Sequence, residues 1–367
     1  MSGHSSVSPR LLVVGKGAPD HGGIASFLRT FLASELAHAY EADFLNLAHS
    51  ETQQGGRVSV GNIRRTVADT RAVWERSADR DLVHIHSAMA PLVTMLRAGA
   101  LARAARQRGC RVVLHAHGGR VQLWLTTSTR RRLARIALAA ADRVVTVSTG
   151  GRDAIELAIG SDRVSLVDNG VDPKLFGQPE PPHEPPRILY VGLLTPRKGV
   201  LDLLAASAIL RERGVAHELW LAGGTPDEGP EAEATVRAAA GSYVRLLGQI
   251  PPERMPSLYR QADVFCLPSW WEAMPLSVLE AMASGLPVVA SDVGDVARVV
   301  LDGVTGLVVP PQEPHLLASA LSSLLGDPVR RQSMGAAGRG RVVSDFSASS
   351  VLAAVSEIYD QLLESRR

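Results

Sequence analysis

The run PKLFGQPEPPHEPPRILYVG, Pro173 to Gly192, decides how this chain of 367 residues is put together. Pro179, Pro181, Pro182, Pro185 and Pro186 fall within a few positions of one another. Each removes a backbone donor and fixes φ, so residues 173–186 read as a linker rather than an element. On the near side, short aliphatic runs predict strands at Leu11–Val14, Asp81–His86, Arg111–His115, Arg143–Val147 and Val164–Val167. Loop and helix patterns fill Gly22–Ala37, and helical ones Pro91–Arg108 and Thr127–Ala140. On the far side the alternation restarts, with strands expected at Ile188–Val191, Glu218–Ala222, Val244–Leu246, Val264–Leu267, Val288–Ala290 and Leu307–Val309. Strands alternating with helices imply right-handed crossovers and parallel sheets. The expected fold is α/β, with two doubly wound Rossmann-like domains: residues 1–172, the linker 173–186, residues 187–345, and a helical tail over 346–367. Ligands of such domains bind at the carboxyl ends of the strands, here in a cleft the two domains are expected to face.

Composition narrows the class. Apolar residues make up 46% of the chain, charged residues 21% and aromatics 4%, which suits sheets of small aliphatics covered by helices. A formal net charge of +2 supplies no global field for nucleic acid. Cys110 and Cys266, far apart and in apolar runs, offer neither a disulfide framework nor a zinc site. The start, Met1 to Pro9, is small and polar, and no window approaches a membrane span. A cytoplasmic location, at most peripheral to the inner face of a membrane, is the expectation.

Three motifs bear on chemistry. GKGAPDHGGI, Gly15 to Ile24, follows a strand and precedes a helix. Gly22 and Gly23 suit either a turn or the close approach of an anion to a helix N-terminus. RILYVGLLTPRKG, Arg187 to Gly199, puts Arg197 and Lys198 where a strand gives way to a helix. That pair fits a diphosphate gaining charge as it leaves, or a solvated basic turn. SWWEAMPLSVLEAMASG, Ser269 to Gly285, carries Glu272 and Glu280 with seven residues between them. With Pro275 in the first turn of a helix, Glu280 lies a turn or two further in and Leu276, Leu279 and Ala283 form the buried face. Glu272 then sits beside the free N–H groups of the helix start. One carboxylate can take donor-sugar hydroxyls and the other a ribose diol. A glycosidase acid–base pair would need both to flank one bond.

With these motifs the chain resembles a family 4 glycosyltransferase of the GT-B fold. Further matches are His117-Gly118, the run Asp168-Asn169-Gly170-Val171-Asp172, Lys198-Gly199, Leu247-Gly248 with Ile250, and Gly285 to Ala290. The resemblance implies a retaining transfer of a hexose-type sugar from a UDP or GDP donor, with no metal or other cofactor. It implies that Glu280 holds the ribose, while Glu272 and the backbone of Ala273, Met274, Pro275 and Leu276 hold the sugar and distal phosphate. Lys198 with the Gly22-Gly23 loop would stabilise the diphosphate, His117 would contact a sugar hydroxyl, and Ile250 would border the donor. His117, Lys198 and Glu272 are thus the implied catalytic set, and the last helix would return to the first domain. Two positions depart from the pattern. Leu193 stands where the family usually has Arg, which leaves Arg197 as the substitute cation. Gly294-Asp295 and Arg298 replace a Gly-Gly turn and a later Glu. The competing readings are a sugar-nucleotide 2-epimerase, which would act on donor alone, a non-catalytic sugar-nucleotide-binding module, and a metal hydrolase.

His84, His86, His115 and His117 are the basis of that last rival, since strand residues two apart share a face. No carboxylate follows at a spacing that completes a site, so no metal is expected. Sugar contact falls to His117, with the others packed or capping strand ends. Arg130, Arg131, Arg132 and Arg135, interleaved with Leu133 and Ile136, form a basic amphipathic patch. It reads as a solvated helix face or as a dock for an anionic membrane carrying a lipid-linked saccharide acceptor. Trp270 and Trp271 fit sugar stacking or core filling equally.

Overall fold

The computed structural model describes residues 8–20, 22–48, 59–118, 120–224 and 230–365. Residues 1–7 and His21, used in the sequence reading, lie outside them. The chain divides into two compact units, residues 1–168 with 351–367, and residues 169–350.

In the N-terminal unit the strands are β1 (Leu11–Gly15), β2 (Asp43–Asn46), β3 (Leu82–Ser87), β4 (Arg111–Ala116), β5 (Arg143–Thr146) and β6 (Val164–Leu166). All pair in parallel, in the order β2-β1-β3-β4-β5-β6. The helices are α1 (Gly23–Leu32), α2 (Glu35–Ala39), α3 (Val60–Arg76), α4 (Leu92–Gln107), α5 (Arg120–Trp124), α6 (Ser128–Ala137) and α7 (Thr149–Ile159). Strand residues alternate between two buried faces, as a doubly covered parallel sheet requires. Leu12, Val14, Val83, Ile85, Val112 and Leu114 pack under α4, α6 and α7. Leu11, Val13, Leu82, Val113 and Val145 pack under α1 and α2.

The C-terminal unit repeats the plan with β7 (Arg187–Val191), β8 (Glu218–Ala222), β9 (Val244–Gly248), β10 (Val264–Leu267), β11 (Val288–Ser291) and β12 (Gly306–Val309). Its helices are α8 (Val200–Glu212), α9 (Pro230–Ala239), α10 (Met255–Arg260), α11 (Leu276–Ala283), α12 (Val296–Val299), α13 (Pro314–Leu325) and α14 (Pro328–Asp345). The sheet is again parallel, in the order β12-β11-β10-β7-β8-β9. The proline-rich segment has neither helix nor strand and packs on this unit: Phe176 is buried in its core, and His183 Nδ1 lies 3.1 Å from Asp263 Oδ2. The last helix, α15 (Ala348–Glu364), lays Val351, Val355, Ile358, Tyr359 and Leu362 on the Leu11–Val13 face of the N-terminal sheet.

β2 and α3 were absent from the sequence reading. β2 is a short edge strand whose residues are half-buried or exposed, and α3 turns Val60, Ile63 and Val67 to solvent. Cys110 and Cys266 are both free and buried. No described helix is long and apolar enough to cross a membrane.

Candidate functional site

In the C-terminal sheet the chain leaves β7 toward β8 on one side and reaches β10 on the other, so strand order reverses between β7 and β10. Loops that exit adjacent strands at such a point diverge and leave a crevice at the carboxyl ends. Those two loops are 192–199 and 268–275, and they carry the motifs singled out in the sequence. Thr195 caps a 3-10 turn over Pro196–Lys198, and Gly199 follows in the left-handed region at φ 68°. A Cβ on Gly199 would stand 1.8 Å from the Pro268 carbonyl oxygen, so glycine is what lets the two loops touch.

Lys198 Nζ meets Glu272 Oε1 at 2.6 Å, and Ser269 Oγ donates to the same oxygen at 2.7 Å. Glu272 is 6% exposed, so its carboxylate is held out of water by an ammonium and a hydroxyl. Pro275 stands at the N-cap of α11 rather than inside its first turn. Leu279 and Ala283 are buried as the periodicity predicts, but Leu276 is only half-buried, and Val278, Ala281 and Met282 carry the rest of the face. Glu280, one turn in, accepts from Tyr259 Oη at 2.7 Å. Burial and the Glu280 charge push the Tyr259 hydroxyl well above its ordinary range, so it stays a donor.

The 272–275 loop is held from behind. Asn169 Nδ2 donates to the Met274 carbonyl at 2.7 Å, and the Asn169 N–H points at Met274 Sδ. Asp295 N–H donates to the Ala273 carbonyl at 2.9 Å. Gly294, at φ 57°, approaches so closely that a Cβ there would lie 2.2 Å from the Glu272 carbonyl oxygen. The departure at Gly294-Asp295 thus forms the rear wall of this loop, and Arg298 closes on Asp295 at 3.0 Å. The Leu193 carbonyl accepts from Tyr190 Oη at 2.7 Å. The Arg197 guanidinium lies 5.9 Å from the Trp271 ring, and its carbonyl accepts from the Trp270 N–H. Trp270 Nε1 donates to Asp202 at 2.5 Å, and Ile250 packs half-buried against the unit's core. Ser269, Tyr259, Asn169 and Asp295 were not assigned site roles from sequence. Asn169, Ser269 and Asp295 carried a signal, their places in the Asp168–Asp172 and Ser269–Gly285 motifs and in the Gly294-Asp295 departure, and Tyr259 carried none.

Gly22, Gly23 and His117 belong to the N-terminal unit. Gly22 caps α1 at φ 110°, and Gly23 is the helix's first residue. His84 and His86 on β3, His115 on β4 and His117 just beyond it share the face that carries Leu82 and Val113. The three on strands are buried within them and cap nothing. The His86 and His115 rings stack with that of His117, His84 packs against His86 and His115, and neighbouring centroids are 4.1 to 5.3 Å apart. His84 Nδ1 lies 2.5 Å from Tyr359 Oη, and His86 Nδ1 lies 2.9 Å from His117 Nε2. Burial pushes His84 and His117 down to about 3 and holds His86 and His115 well below the ordinary imidazole range. All four are neutral at pH 7.

On α6, Arg130 donates to the Trp124 carbonyl, Arg131 to Leu125 and Arg135 to Ala158, while Arg132 is exposed. Leu133 and Ile136 are exposed beside them.

Two family models match the chain: Glycosyltransferase Family 4 over residues 30–175 and Glycosyl transferases group 1 over residues 185–327. A GDP-mannose-dependent alpha-(1-6)-phosphatidylinositol monomannoside mannosyltransferase from Mycolicibacterium smegmatis is 30% identical over 97% of this chain and 100% of its own length. Sucrose-phosphate synthase from Thermosynechococcus elongatus superimposes with a TM-score of 0.79 at 25% identity, covering 97% of this chain and all of that one. Anabaena HepE, solved with UDP and glucose, gives a TM-score of 0.75 at 18% identity over 95% and 99% of the two chains. The chain spans 61–64% of the length of the first curated relatives it matches.

Proposed function

The chain belongs to glycosyltransferase family 4, and from that membership we propose that it moves a hexose-type sugar from a UDP or GDP donor to an acceptor with retention of configuration. The observation that carries the reading is the Lys198–Glu272 pair, 2.6 Å apart at the strand-order reversal of the C-terminal sheet. The donor diphosphate takes the Lys198 ammonium and the N-terminal amides of α11, both suited to the charge that grows on the leaving phosphate. Glu272 and the 273–276 backbone receive the sugar hydroxyls, and Glu280 the ribose diol. Arg197 and Ile250 border the donor, Gly22 and Gly23 serve the diphosphate, and His117 a sugar hydroxyl. As the glycosidic bond to phosphate breaks, the acceptor oxygen bonds the anomeric carbon from the same face. Its proton passes to the departing phosphate oxygen. No side-chain nucleophile and no metal on the diphosphate are required, so catalysis is positioning plus charge stabilisation.

A GDP-mannose-dependent relative supports a GDP donor, and the UDP-bound structural neighbour a UDP one. The phosphatidylinositol mannoside named in that relative supports a lipid-linked acceptor, with α6 as the surface facing an anionic membrane. A thermal-shift panel of UDP, GDP, ADP and their sugars tests the donor: one base should stand out, because binding to the folded state alone raises its stability. No shift with any nucleotide overturns the proposal. Incubation with donor alone should return no epimer, which excludes the 2-epimerase. Turnover should survive a chelator, and the chain should float with anionic vesicles at moderate salt.

A further inference from the structure

The buried histidines of the N-terminal sheet are not accounted for by packing. His84 Nε2, His86 Nε2 and both ring nitrogens of His115 have no hydrogen-bond partner among the described residues. Buried ring nitrogens without a partner are rare in native interiors. A nitrogen from each of His84, His86 and His115 falls in one group whose members are all within 4.8 Å of one another. On two of the three rings the far nitrogen is occupied, while the second nitrogen of His115 has no partner among the described residues. His84 Nδ1 faces Tyr359 Oη at 2.5 Å and His86 Nδ1 faces His117 Nε2 at 2.9 Å. A metal-ligating histidine is held in the same manner, by a partner on the nitrogen that the metal does not use.

We propose that His84, His86 and His115 bind one divalent transition-metal ion of the zinc type. Neutral imidazoles suit such an ion, and metal–nitrogen distances of about 2.0–2.1 Å require each nitrogen to move inward by less than roughly 1 Å. Three protein ligands leave a fourth position for a water, whose ionisation on the metal offsets one of the ion's two charges. The ion ties β3 to β4 and, through Tyr359, secures α15. Bound at His86 Nε2, it leaves that ring's proton on Nδ1, which donates to His117 Nε2 and leaves the His117 proton on Nδ1. None of the three ligands is assigned to the donor, and Lys198 and Glu272 belong to the other compact unit. A chelator therefore lowers stability while transfer persists, which separates this inference from the proposed activity.

The test uses the full chain, stripped with chelator and dialysed, then titrated with Zn2+ and separately with Co2+. The expected result is one ion per chain by elemental analysis, a rise in Tm of roughly 5 °C at saturation, and the strong visible absorption of four-coordinate Co2+. His86→Gln and His115→Gln should each lose at least 100-fold in affinity, while His38→Gln and His315→Gln at exposed positions change nothing. If those core variants fail to fold, the wild-type stoichiometry and Co2+ spectrum decide alone. Uptake below half an ion per chain, a six-coordinate Co2+ spectrum, or uptake that persists in the His86→Gln, His115→Gln double variant overturns the proposal.

Discussion

The two parallel sheets share a plan and treat their polar groups in opposite ways. In the C-terminal unit the buried carboxylate of Glu272 is met by Lys198 and Ser269, and Glu280 by Tyr259. In the N-terminal unit His84, His86 and His115 are buried as deeply, yet four of their ring nitrogens meet nothing among the described residues. A polar group with a partner in the fold is being held in position. One without a partner marks a demand that the fold alone leaves unmet. The first arrangement suits groups that must be aimed at a ligand, the second groups that close around an ion.

The sharpest way to break the contrast is to remove one half of the paired arrangement. Lys198→Met strands a carboxylate that is 6% exposed, and Glu272→Leu strands the ammonium. Each should cost about 3 kcal/mol of stability, as losing one member of a buried pair does. The double variant should regain most of that, because apolar groups of similar size replace a buried pair at little cost. Turnover should fall about 10²–10³-fold in each single variant and stay low in the double one. Urea unfolding and a transfer assay read the two effects separately. A double variant no more stable than the singles would show that the pair is not what holds the loops.

A smaller effect is expected behind the 272–275 loop. Gly294→Ala places a methyl 2.2 Å from the Glu272 carbonyl oxygen at a φ of 57°. It should cost about 2 kcal/mol. Asn169→Ala, losing the bond to the Met274 carbonyl, should cost about 1 kcal/mol. Both should raise the donor KM more than they lower kcat, because they displace the loop that receives the sugar and not the cation. Equal falls in kcat and kcat/KM would place the loop in the transition state alone.

Strand periodicity carried most of the fold because both sheets are buried on both faces, which makes their strands continuous aliphatic runs. β2 escaped notice because Asp43 to Asn46 is short, lies at an edge and has no such run. α3 escaped because it is polar on average and holds no aliphatic run, although Val60, Ile63 and Val67 keep helical spacing. At the site, the spacing of Glu272 and Glu280 was legible, since it follows one loop into one helix. Two long-range contacts were not: Tyr259 is 21 positions from Glu280, and Asn169 is 105 from Met274. The histidines were set aside for want of a carboxylate. Register pairs His86 with His115 across two strands, and the α1 and α15 side chains that wall them in come from opposite ends of the chain.

A buried histidine that is fully partnered supplies the internal control for the cluster, and the smallest effect. His217 is 0% exposed; Nδ1 lies 2.9 Å from the Val215 carbonyl and Nε2 2.6 Å from Ser207 Oγ. The carbonyl can only accept, so Nδ1 carries the proton and Nε2 accepts from the serine. Burial holds this imidazole below its ordinary value of 6.5, with Arg211 adding to the effect and the Val215 bond opposing it. The unfolded chain therefore takes up the proton first as pH falls. The contribution of His217 is complete above pH 6.5 and is lost progressively as the solution is acidified toward its lower folded value. Its slope is at most about 1.4 kcal/mol per pH unit. His217→Gln should flatten the acid decline of urea-unfolding stability between pH 7 and 5 by no more than that slope. An unchanged profile would mean that His217 titrates alike in the folded and unfolded states, and that burial alone does not keep an imidazole neutral in this protein.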